Sequence, residues 1–400
     1  MKTSKYSLMT MLGHISTDIN QGALPALLPF LVLNKDISYT SAAGLIFAAN
    51  SVSSFVQPLL GYLGDKVSWT WLMGLGIFLA GAGIAAVGWL DGYWAIFFAV
   101  MVSGVGVAIF HPEGGKIANL VAGEKKGAGI AIFSVGGNIG FALGPVIVSL
   151  AISLFGMKGT AVFLAPAVLM PLVVLANLKA LNRITAESRT RQSGGRENET
   201  ADDWPSFFKA ASCITARSIV AYGLTTFIPL YFAVVLLMPE ASASTTLTLF
   251  SVAAAAATLC GGHVADRVGF NRIIRVCFSL LVPLLLLFPL IGNVYLAVVL
   301  LVPIAFMLNA PQSASIALGQ KFVPNHIGTS SGIMLGMAVS VGGMVAPGIG
   351  WVGDHYGLTA AIYTVAGFAV LVMGLAFLIP DPRKFGNMSR ARKAGEQKNH

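Results

Sequence analysis

Six ionisable side chains lie inside segments of this chain that are otherwise apolar and long enough to span a membrane. A charge at the centre of a bilayer costs about 3 kcal/mol or more, so it is usually kept only where it faces a bundle interior or a water-filled path. Each of the six is therefore a candidate site residue, and their types suit proton exchange and anion binding. They are His14, Asp18, His111, Glu113, Lys116 and Arg217.

His14, Asp18 and Gln21 lie in the first apolar segment. Their spacings of four and three residues place them on one helix face. A histidine and a carboxylate can form a hydrogen bond, and each favours the charged form of the other. We expect the His14–Asp18 pair to accept a proton, with Gln21 contacting substrate. The alternative is a static polar clasp between helices, which does not need two ionisable groups.

The fourth apolar segment contains the sequence Phe110-His111-Pro112-Glu113-x-x-Lys116. Proline removes a backbone donor and predicts a kink, and broken helices often line binding sites in transporters. Histidine titrates near physiological pH, so we expect proton exchange at His111 and Glu113 and anion binding at Lys116. The alternative is a structural kink with a satisfied Glu113–Lys116 ion pair.

Arg217 lies in the seventh apolar segment. Arginine keeps its charge and binds carboxylate or phosphate through two parallel hydrogen bonds. Its partner is expected to be Asp18, Glu113 or an anionic substrate. The alternative is a permanent ion pair that ties the two halves of the molecule together.

The second half of the chain has fewer ionisable residues at the corresponding place. Asn309, Pro311 and Gln312 stand where the first half has its proline motif, so the proline is kept and the ionisable groups are lost. We therefore place proton coupling in the N-terminal half. Asn309 and Gln312 are expected to contact substrate, as is Asn138 on the glycine-rich fifth segment.

The composition is that of a polytopic membrane protein. The chain is 56% hydrophobic and 10% charged, with a mean hydropathy of +0.79, and a span needs about 20 apolar residues. The fold is predicted to be all-α, with two six-helix bundles. The twelve predicted spans are 7–33, 41–63, 71–90, 94–122, 127–154, 159–181, 206–237, 243–265, 270–291, 294–320, 328–353 and 359–379.

Basic residues predict the orientation, because Lys and Arg are enriched in cytoplasmic loops. With both termini in the cytoplasm, every Lys and Arg lies on that side except Lys35 and Lys158, which lie outside, and Lys116 and Arg217, which lie within spans. The net charge of +9 is therefore assigned to cytoplasmic loops and not to nucleic-acid binding. The first segment is interpreted as a spanning helix, not as a signal peptide.

The two halves repeat one another. The sequence GYLGDK at 61–66 has its counterpart in GHVADR at 262–267. We predict an N-terminal bundle (1–181), a polar flexible linker (182–205), a C-terminal bundle (206–380) and a basic tail (381–400). Four charges at the ends of spans are expected to form conformational latches, the alternative being topology signals. They are Asp65, Lys66, Asp266 and Arg267.

Small residues on the fifth segment predict close helix packing. Gly136, Gly137, Gly140, Gly144 and Pro145 form a G-x-x-x-G-x-x-x-G-P stripe, and a role as a hinge stays open. A phosphate-binding loop of the type GxxxxGK[ST], an HExxH motif and paired Cys/His spacing are absent from the sequence. We therefore expect no ATP-driven pumping, no metal and no cofactor. The residues His263, Asp354 and His355 are interpreted as interfacial, without a role.

The loop after the second span and its repeat resemble the signature loop of the major facilitator superfamily, although Ser68 stands where a glycine is usual. The motifs H14-x-x-x-D18-x-x-Q21, F110-H-P-E113-x-x-K116 and V135-G-G-N138-x-G-x-x-x-G-P145 resemble the bacterial fosmidomycin-resistance branch. The resemblance implies a carrier of the bacterial inner membrane that exports small molecules in exchange for protons. A phosphonate-like anion is one candidate substrate.

The expected function is proton-coupled efflux of a small anionic or zwitterionic compound by a monomer that works by alternating access. A proton-coupled importer of an organic anion is an alternative in the same class. A sensor or scaffold without transport is an alternative from another class, although a scaffold gains nothing from buried titratable groups. A channel is disfavoured because the sequence shows no ring of like charges and no carbonyl filter.

Overall fold

The computed structural model describes the backbone of residues 2–66, 69–121, 126–189, 202–325, 330, 333–334 and 338–380. Side chains are described for residues 5–52, 69–118, 120–121, 132–186, 202–325, 330, 333–334 and 341–380. This part of the chain is helical and contains no strand, as predicted. Its helices are α1 (Lys2–Lys35), α2 (Tyr39–Lys66), α3 (Leu72–Ala86), α4 (Tyr93–Val121), α5 (Lys126–Phe155), α6 (Leu164–Ala176), α7 (Leu178–Arg189), α8 (Trp204–Val234), α9 (Glu240–Val268), α10 (Phe270–Leu287), α11 (Val294–Asn309), α12 (Gln312–Phe322), α13 (Ala338–Tyr356) and α14 (Leu358–Leu378).

Eight segments of the described chain are long and apolar enough to cross a membrane. One of them, Ile132–Ala176, covers both the fifth and the sixth predicted spans. The segments do not include α1, α2 and α13. Helix α1 carries its polar residues in the middle of the span, which lowers its hydropathy, and α2 and α13 are described only in part. Nine of the twelve predicted spans are thus found by composition and length.

Two single-glycine turns and one side-chain cap explain where the helices α10, α14 and α8 begin. Gly269 and Gly357 have positive φ angles of 95° and 84°, which suit glycine because it lacks a Cβ. Each is the single residue between two long helices, α9 and α10 or α13 and α14. The start of α8 has a side-chain cap, since the Asp203 carboxylate accepts a hydrogen bond from the Ser206 amide at 3.1 Å.

Helix α7 extends into the segment that we expected to be a flexible linker. It continues to Arg189, so the first residues of the 182–205 segment are helical. The reason is an apolar face at helical spacing, on which Leu181 is buried and Ile184 packs against the same core. Residues 190–201 lie outside the described residues, and the predicted domain boundaries remain predictions.

The two proline motifs differ between the halves. Helix α4 continues through Pro112 without interruption, whereas the second half has a turn at Ala310–Pro311 between α11 and α12. The expected break in the helix is therefore present only in the C-terminal half. There it separates Asn309 from Gln312 and lets both side chains approach a third helix.

The helices pack as two groups. In the first half α1 contacts α5, and α4 contacts α2 and α3. In the second half α8 contacts α13 and α14, and α9 contacts α11. The groups meet where α2 contacts α13, where α5 contacts α9 and where α1 contacts α8 and α9. Helices α1, α2, α5, α8, α9 and α13 therefore form the interface between the two groups.

The glycine stripe on α5 lies against α1. A Cβ atom built on Gly144 would come within 2.5 Å of the Ala23 amide nitrogen, and one on Gly140 within 2.7 Å of the Ile15 carbonyl oxygen. On α1, a Cβ on Gly22 would lie 2.1 Å from the Phe141 carbonyl oxygen. The two backbones are thus too close for any side chain at these positions.

The two halves are joined at the end of the bundle away from the chain termini. The Ser244 hydroxyl donates to the Ala26 carbonyl oxygen at 2.7 Å, and the Thr248 hydroxyl donates to the Ala142 carbonyl oxygen at 2.9 Å. The Asp354 carboxylate on α13 accepts from the amides of Tyr39 and Thr40 at 2.7 and 2.9 Å. We call this end, with its links through Ser244, Thr248 and Asp354, the closed end.

Because α5 and α1 are in close contact, one methyl group added between them should lower the stability of the protein. Substitution Gly144→Ala should lower the free energy of unfolding by about 1–3 kcal/mol, the cost of overpacking a filled interior. The measurement is the unfolding of the purified protein in detergent.

Gly374→Ala on α14 is the matched control, because a Cβ there meets no atom within 4 Å. It should leave stability unchanged or raise it slightly, since alanine favours the helix. Equal stability of the Gly144→Ala variant and the parent would contradict the close packing of these helices.

Candidate transport site

A buried cluster joins α1 and α4. The Asp18 carboxylate contacts two ring nitrogens, Nε2 of His14 and Nε2 of His111, both at 3.1 Å. The two histidine Nε2 atoms lie 3.2 Å apart, although the residues are 97 positions apart in the sequence. Asp18 and His14 are 9% and 8% exposed. The structure therefore brings together three of the four residues that were predicted to couple protons.

Helix α5 completes the surroundings of this cluster. Nδ1–H of His14 donates to the Phe133 carbonyl oxygen at 2.7 Å, and the two rings stack with centroids 3.9 Å apart. A Cβ atom on Gly137 would lie 2.6 Å from the His14 ring and 2.9 Å from the Asp18 carboxylate. Gly137 thus leaves the space that the cluster occupies, a role beyond simple helix packing.

The same three residues are the one group of His, Cys, Asp and Glu among the described residues that could share a metal ion. Their donor atoms lie within 4.8 Å of one another. Sequence spacing does not reveal this set because it comes from two helices. The Asp18 carboxylate also accepts a hydrogen bond from the Gln21 amide at 3.3 Å. The predicted role of the cluster in proton coupling stays a prediction.

Glu113 and Lys116 lie further along α4. The Glu113 side chain is buried, and the Lys116 side chain is half-buried. Both lie nearer than His111 to the end of the bundle that contains the chain termini. Their predicted roles in proton coupling and anion binding stay predictions.

Arg217 is buried in the C-terminal half and is held by neutral acceptors. Its Nε–H donates to the Leu308 carbonyl oxygen at 3.0 Å, and its Nη2 donates to the side-chain oxygens of Asn309 and of Gln312, the latter at 3.2 Å. No carboxylate of the described residues pairs with it. The permanent ion pair with Asp18 or Glu113, weighed from the sequence, is therefore not formed in this structure.

A cavity of about 180 Å³ lies between the halves. At about 30 Å³ per water molecule, it would hold about six waters. It is smaller than the roughly 300–1,000 Å³ of pockets for drug-sized ligands, so it suits a small molecule. Its lining comes from α1, α2, α3, α4, α5 and α8 and has six polar side chains: Asn20, Gln21, Asn50, Ser103, Tyr222 and Thr225.

Gln21 connects the cavity with the buried cluster. It lines the cavity, and its side-chain amide donates a hydrogen bond to Asp18 of the cluster. Tyr222 connects the halves, because its hydroxyl on α8 donates to the Asn50 side-chain oxygen on α2 at 2.7 Å. Sequence reasoning missed Asn50 and Tyr222. The available signal was weak, because single uncharged polar residues are common in spanning helices.

Other predicted residues lie elsewhere. Arg217, Asn309 and Gln312 form their own cluster and do not line the cavity. Asn138 is exposed and does not line the cavity, so the structure gives it no contact that supports a role in substrate binding. Asp266 and Arg267 are exposed and form no ion pair with described residues, while the side chains of Asp65 and Lys66 lie outside the described part. The latch hypothesis thus stays a prediction.

A cavity between two pseudo-repeated helix groups, lined mainly by apolar residues with six polar side chains among them, is the arrangement expected of a carrier. The sequence profile of the Major Facilitator Superfamily matches residues 10–347. The chain belongs to this superfamily. It is therefore a multi-pass membrane transporter and not an enzyme, as the composition and the repeated halves predicted.

Two relatives match nearly the whole chain. The Fosmidomycin resistance protein of Escherichia coli (strain K12) is 26% identical over 379 residues, which cover 93% of this chain and 92% of that protein. The Uncharacterized MFS-type transporter YfnC of Bacillus subtilis (strain 168) is 30% identical over 393 residues, which cover 96% and 95%. The predicted resemblance to the fosmidomycin-resistance branch is thus confirmed as a similarity.

Solved transporters share the fold. A bacterial homologue of the human lysosomal transporter Spinster, in an inward-facing and occupied conformation, has a TM-score of 0.76 at 14% identity and covers 94% of this chain and 96% of its own. A D-xylose–proton symporter has a TM-score of 0.71 at 14% identity, with coverage of 95% and 98%. These likenesses establish the twelve-helix arrangement in two bundles.

The contacts of Arg217 predict a cost for removing one of its acceptors. Asn309→Ala should lower the free energy of unfolding by about 1.5–3 kcal/mol, because a buried guanidinium loses a hydrogen bond that the apolar surroundings cannot replace. Thermal unfolding in detergent measures the change.

Asn138→Ala is the matched control, since the exposed Asn138 side chain forms no hydrogen bond with described residues. It should unfold like the parent. The arrangement around Arg217 is wrong if the two variants have the same stability.

Proposed function

We propose that this chain is a proton-driven efflux antiporter of a small anionic or zwitterionic compound and that it works by alternating access. The observation that supports this most is the buried Asp18 carboxylate between two histidines, next to a cavity at the interface of the halves. Its charge would be costly at this depth. Groups that exchange protons offer a reason for keeping it there.

If Asp18 is ionised, one protonation state of the two histidines satisfies its contacts. The Phe133 carbonyl oxygen can only accept, so Nδ1 of His14 carries a proton. An ionised Asp18 also only accepts, and its two contacts with the histidines then require protons on both Nε2 atoms. In this state His14 is doubly protonated and positively charged, and it neutralises Asp18.

Loss of one proton changes these contacts. A neutral His14 with its proton on Nδ1 turns the lone pair of Nε2 towards the carboxylate, and the two acceptors repel one another. The cluster is then held less tightly, and the α1–α4 contact becomes free to rearrange. We propose that protonation from the outside-facing state and loss of protons to the cytoplasm drive this change, with Glu113 as a further acceptor on the way.

The buried cations support the proposed substrate class. Arg217 is buried and is bound only by neutral oxygens among the described residues. A buried charge without a counter-ion is unfavourable, and a guanidinium binds carboxylate or phosphonate well. We propose that an anion neutralises Arg217 during transport and that Lys116 assists. The relative from Escherichia coli is named for resistance to fosmidomycin, so fosmidomycin-like phosphonates are the first compounds to test.

The proposed orientation places both termini and the basic loops in the cytoplasm of a bacterial cell, with the protein in the inner membrane as a monomer. The closed end then faces outwards. Substrate would enter from the cytoplasm, near the half-buried Lys116, and would leave after the links at the closed end open. The charges Asp65, Lys66, Asp266 and Arg267 are proposed to form the corresponding links on the cytoplasmic side.

Proton release on ligand binding tests the coupling. Addition of fosmidomycin to weakly buffered parent protein, with a chelator present to exclude metal ions, should release protons. Asp18→Asn should abolish the release, because the histidines lose the carboxylate that stabilises their protonated forms. A pH-sensitive dye measures the signal, and Glu113→Gln tests the second acid.

Asp36→Asn is the matched control, since Asp36 is exposed and lies outside the cluster. It should release protons like the parent. Ligand binding without proton release in any of these proteins would refute proton coupling. In everted vesicles an acid interior should drive accumulation of the compound; expulsion under the same gradient would instead establish an importer.

The Asp354 contact predicts a shift in the balance between conformations. Asp354→Asn removes the charge that binds the two amides at the start of α2. A hydrogen bond to a charged group contributes about 1.5–3 kcal/mol, so the population with the closed end open should rise at least about ten-fold. Spin labels at Ser38 and His355 report the distance across this end.

Asp91→Asn serves as the control. It removes a carboxylate at the same end that pairs with Lys35 within the N-terminal half and does not bridge the halves. Its distance distribution should match that of the parent. A distribution in Asp354→Asn that also matches the parent would exclude this carboxylate as a link between the halves.

A further inference from the structure

A second cavity, distinct from the proposed transport site, lies at the end of the bundle that contains the chain termini. It has a volume of about 900 Å³ and is formed by the adjoining ends of α9 and α10 with parts of α12 and α14. Three cations line it, Arg272, Arg275 and Lys321, together with one carboxylate, Asp266. Of these four residues, only Asp266 has a proposed role in transport, as a link on the cytoplasmic side.

The wall of the cavity is fixed by contacts within the protein. Arg275 donates to the Ile379 carbonyl oxygen at 2.9 Å, and Asn271 donates to the Ile379 and Pro380 carbonyl oxygens at 3.0 Å each. Lys321 lies over the Phe270 ring, 4.2 Å from its centroid. Arg272 is exposed and has no hydrogen bond or ion pair with described residues. Its charge is available to a ligand.

The cavity changes from basic to apolar along α10. Arg272, Val276 and Leu280 are spaced by four residues, so they lie on one face and extend over about 12 Å of helix. Val276 and Leu280 are 51% and 49% exposed, and Phe377 beside them is 56% exposed. A ligand with an anionic head group beside Arg272 and an apolar chain along Val276 and Leu280 fits this arrangement.

The repeat shows that the fold does not require these cations. The first half has Trp71, Gly74 and Leu120 at the positions that correspond to Arg272, Arg275 and Lys321. Positive charge in the first turn of α10 also opposes the helix dipole, which disfavours cations at an N-terminus. The three basic residues are therefore a special property of the second half.

We propose that this cavity binds the phosphate headgroup of an anionic phospholipid in the leaflet that faces the termini, with the acyl chains along Val276, Leu280 and Phe377. Basic pockets between spanning helices on the cytoplasmic side are suited to such headgroups. The C-terminal tail is a poor occupant, because residues 381–400 contain six basic and two acidic residues and are repelled by the cavity. The proposal does not depend on proton coupling.

Native mass spectrometry of the delipidated, full-length protein tests this site. Phosphatidylglycerol should bind at least ten-fold more tightly than phosphatidylcholine with the same acyl chains. Arg272→Gln and Lys321→Gln should each weaken phosphatidylglycerol binding by about five-fold, the equivalent of about 1 kcal/mol per cation near an anionic surface. Lys209→Gln, which removes an exposed cation at the same end outside the cavity, should bind like the parent.

Equal binding of the two lipids, or parent-like binding by both cavity variants, would overturn the proposal. Displacement of phosphatidylglycerol by glycerol phosphate at similar concentration would identify a soluble phosphate compound as ligand and would also overturn it. The Lys321→Gln variant keeps the test valid if Arg272→Gln does not fold, because the two act independently.

Discussion

The interior of this transporter depends on one buried carboxylate. Asp18 lies in an apolar helix, where its charge is tolerated only with close partners. His14 comes from the same helix and His111 from α4, and α5 supplies the Phe133 carbonyl and the space beside Gly137. These contacts require α1, α4 and α5 to approach very closely, so the glycine stripe and the polar cluster belong to one arrangement.

The two halves divide the chemistry between them. The N-terminal half holds a buried carboxylate between two histidines, and the C-terminal half holds a cation bound by neutral oxygens. Both halves contain the proline, but it interrupts the helix only in the C-terminal half. There the turn at Ala310–Pro311 directs the side chains of Asn309 and Gln312 towards Arg217. Because the two sets lie in different bundles, motion of one bundle against the other changes their separation. In the proposed mechanism, this change in separation couples the two sets without direct contact between them.

The two ends of the bundle are built differently. At the closed end, hydrogen bonds through Ser244, Thr248 and Asp354 bridge the halves. At the other end, basic residues gather beside exposed apolar side chains on α10. Polar side chains at the first end are used for contacts within the protein, whereas the charge of Arg272 at the second faces outwards.

The sequence by itself determined the class, the helices, the repeat and the family resemblance, because hydropathy and spacing along one helix are local properties. It also singled out His14, Asp18, His111 and Arg217, since ionisable groups in apolar segments are conspicuous. Only the tertiary structure decided their partners. Three sets of contacts join different helices: His111 binds Asp18, Asn309 and Gln312 bind Arg217, and Tyr222 binds Asn50. Such contacts depend on the rotation and depth of each helix in the bundle, and packing sets these.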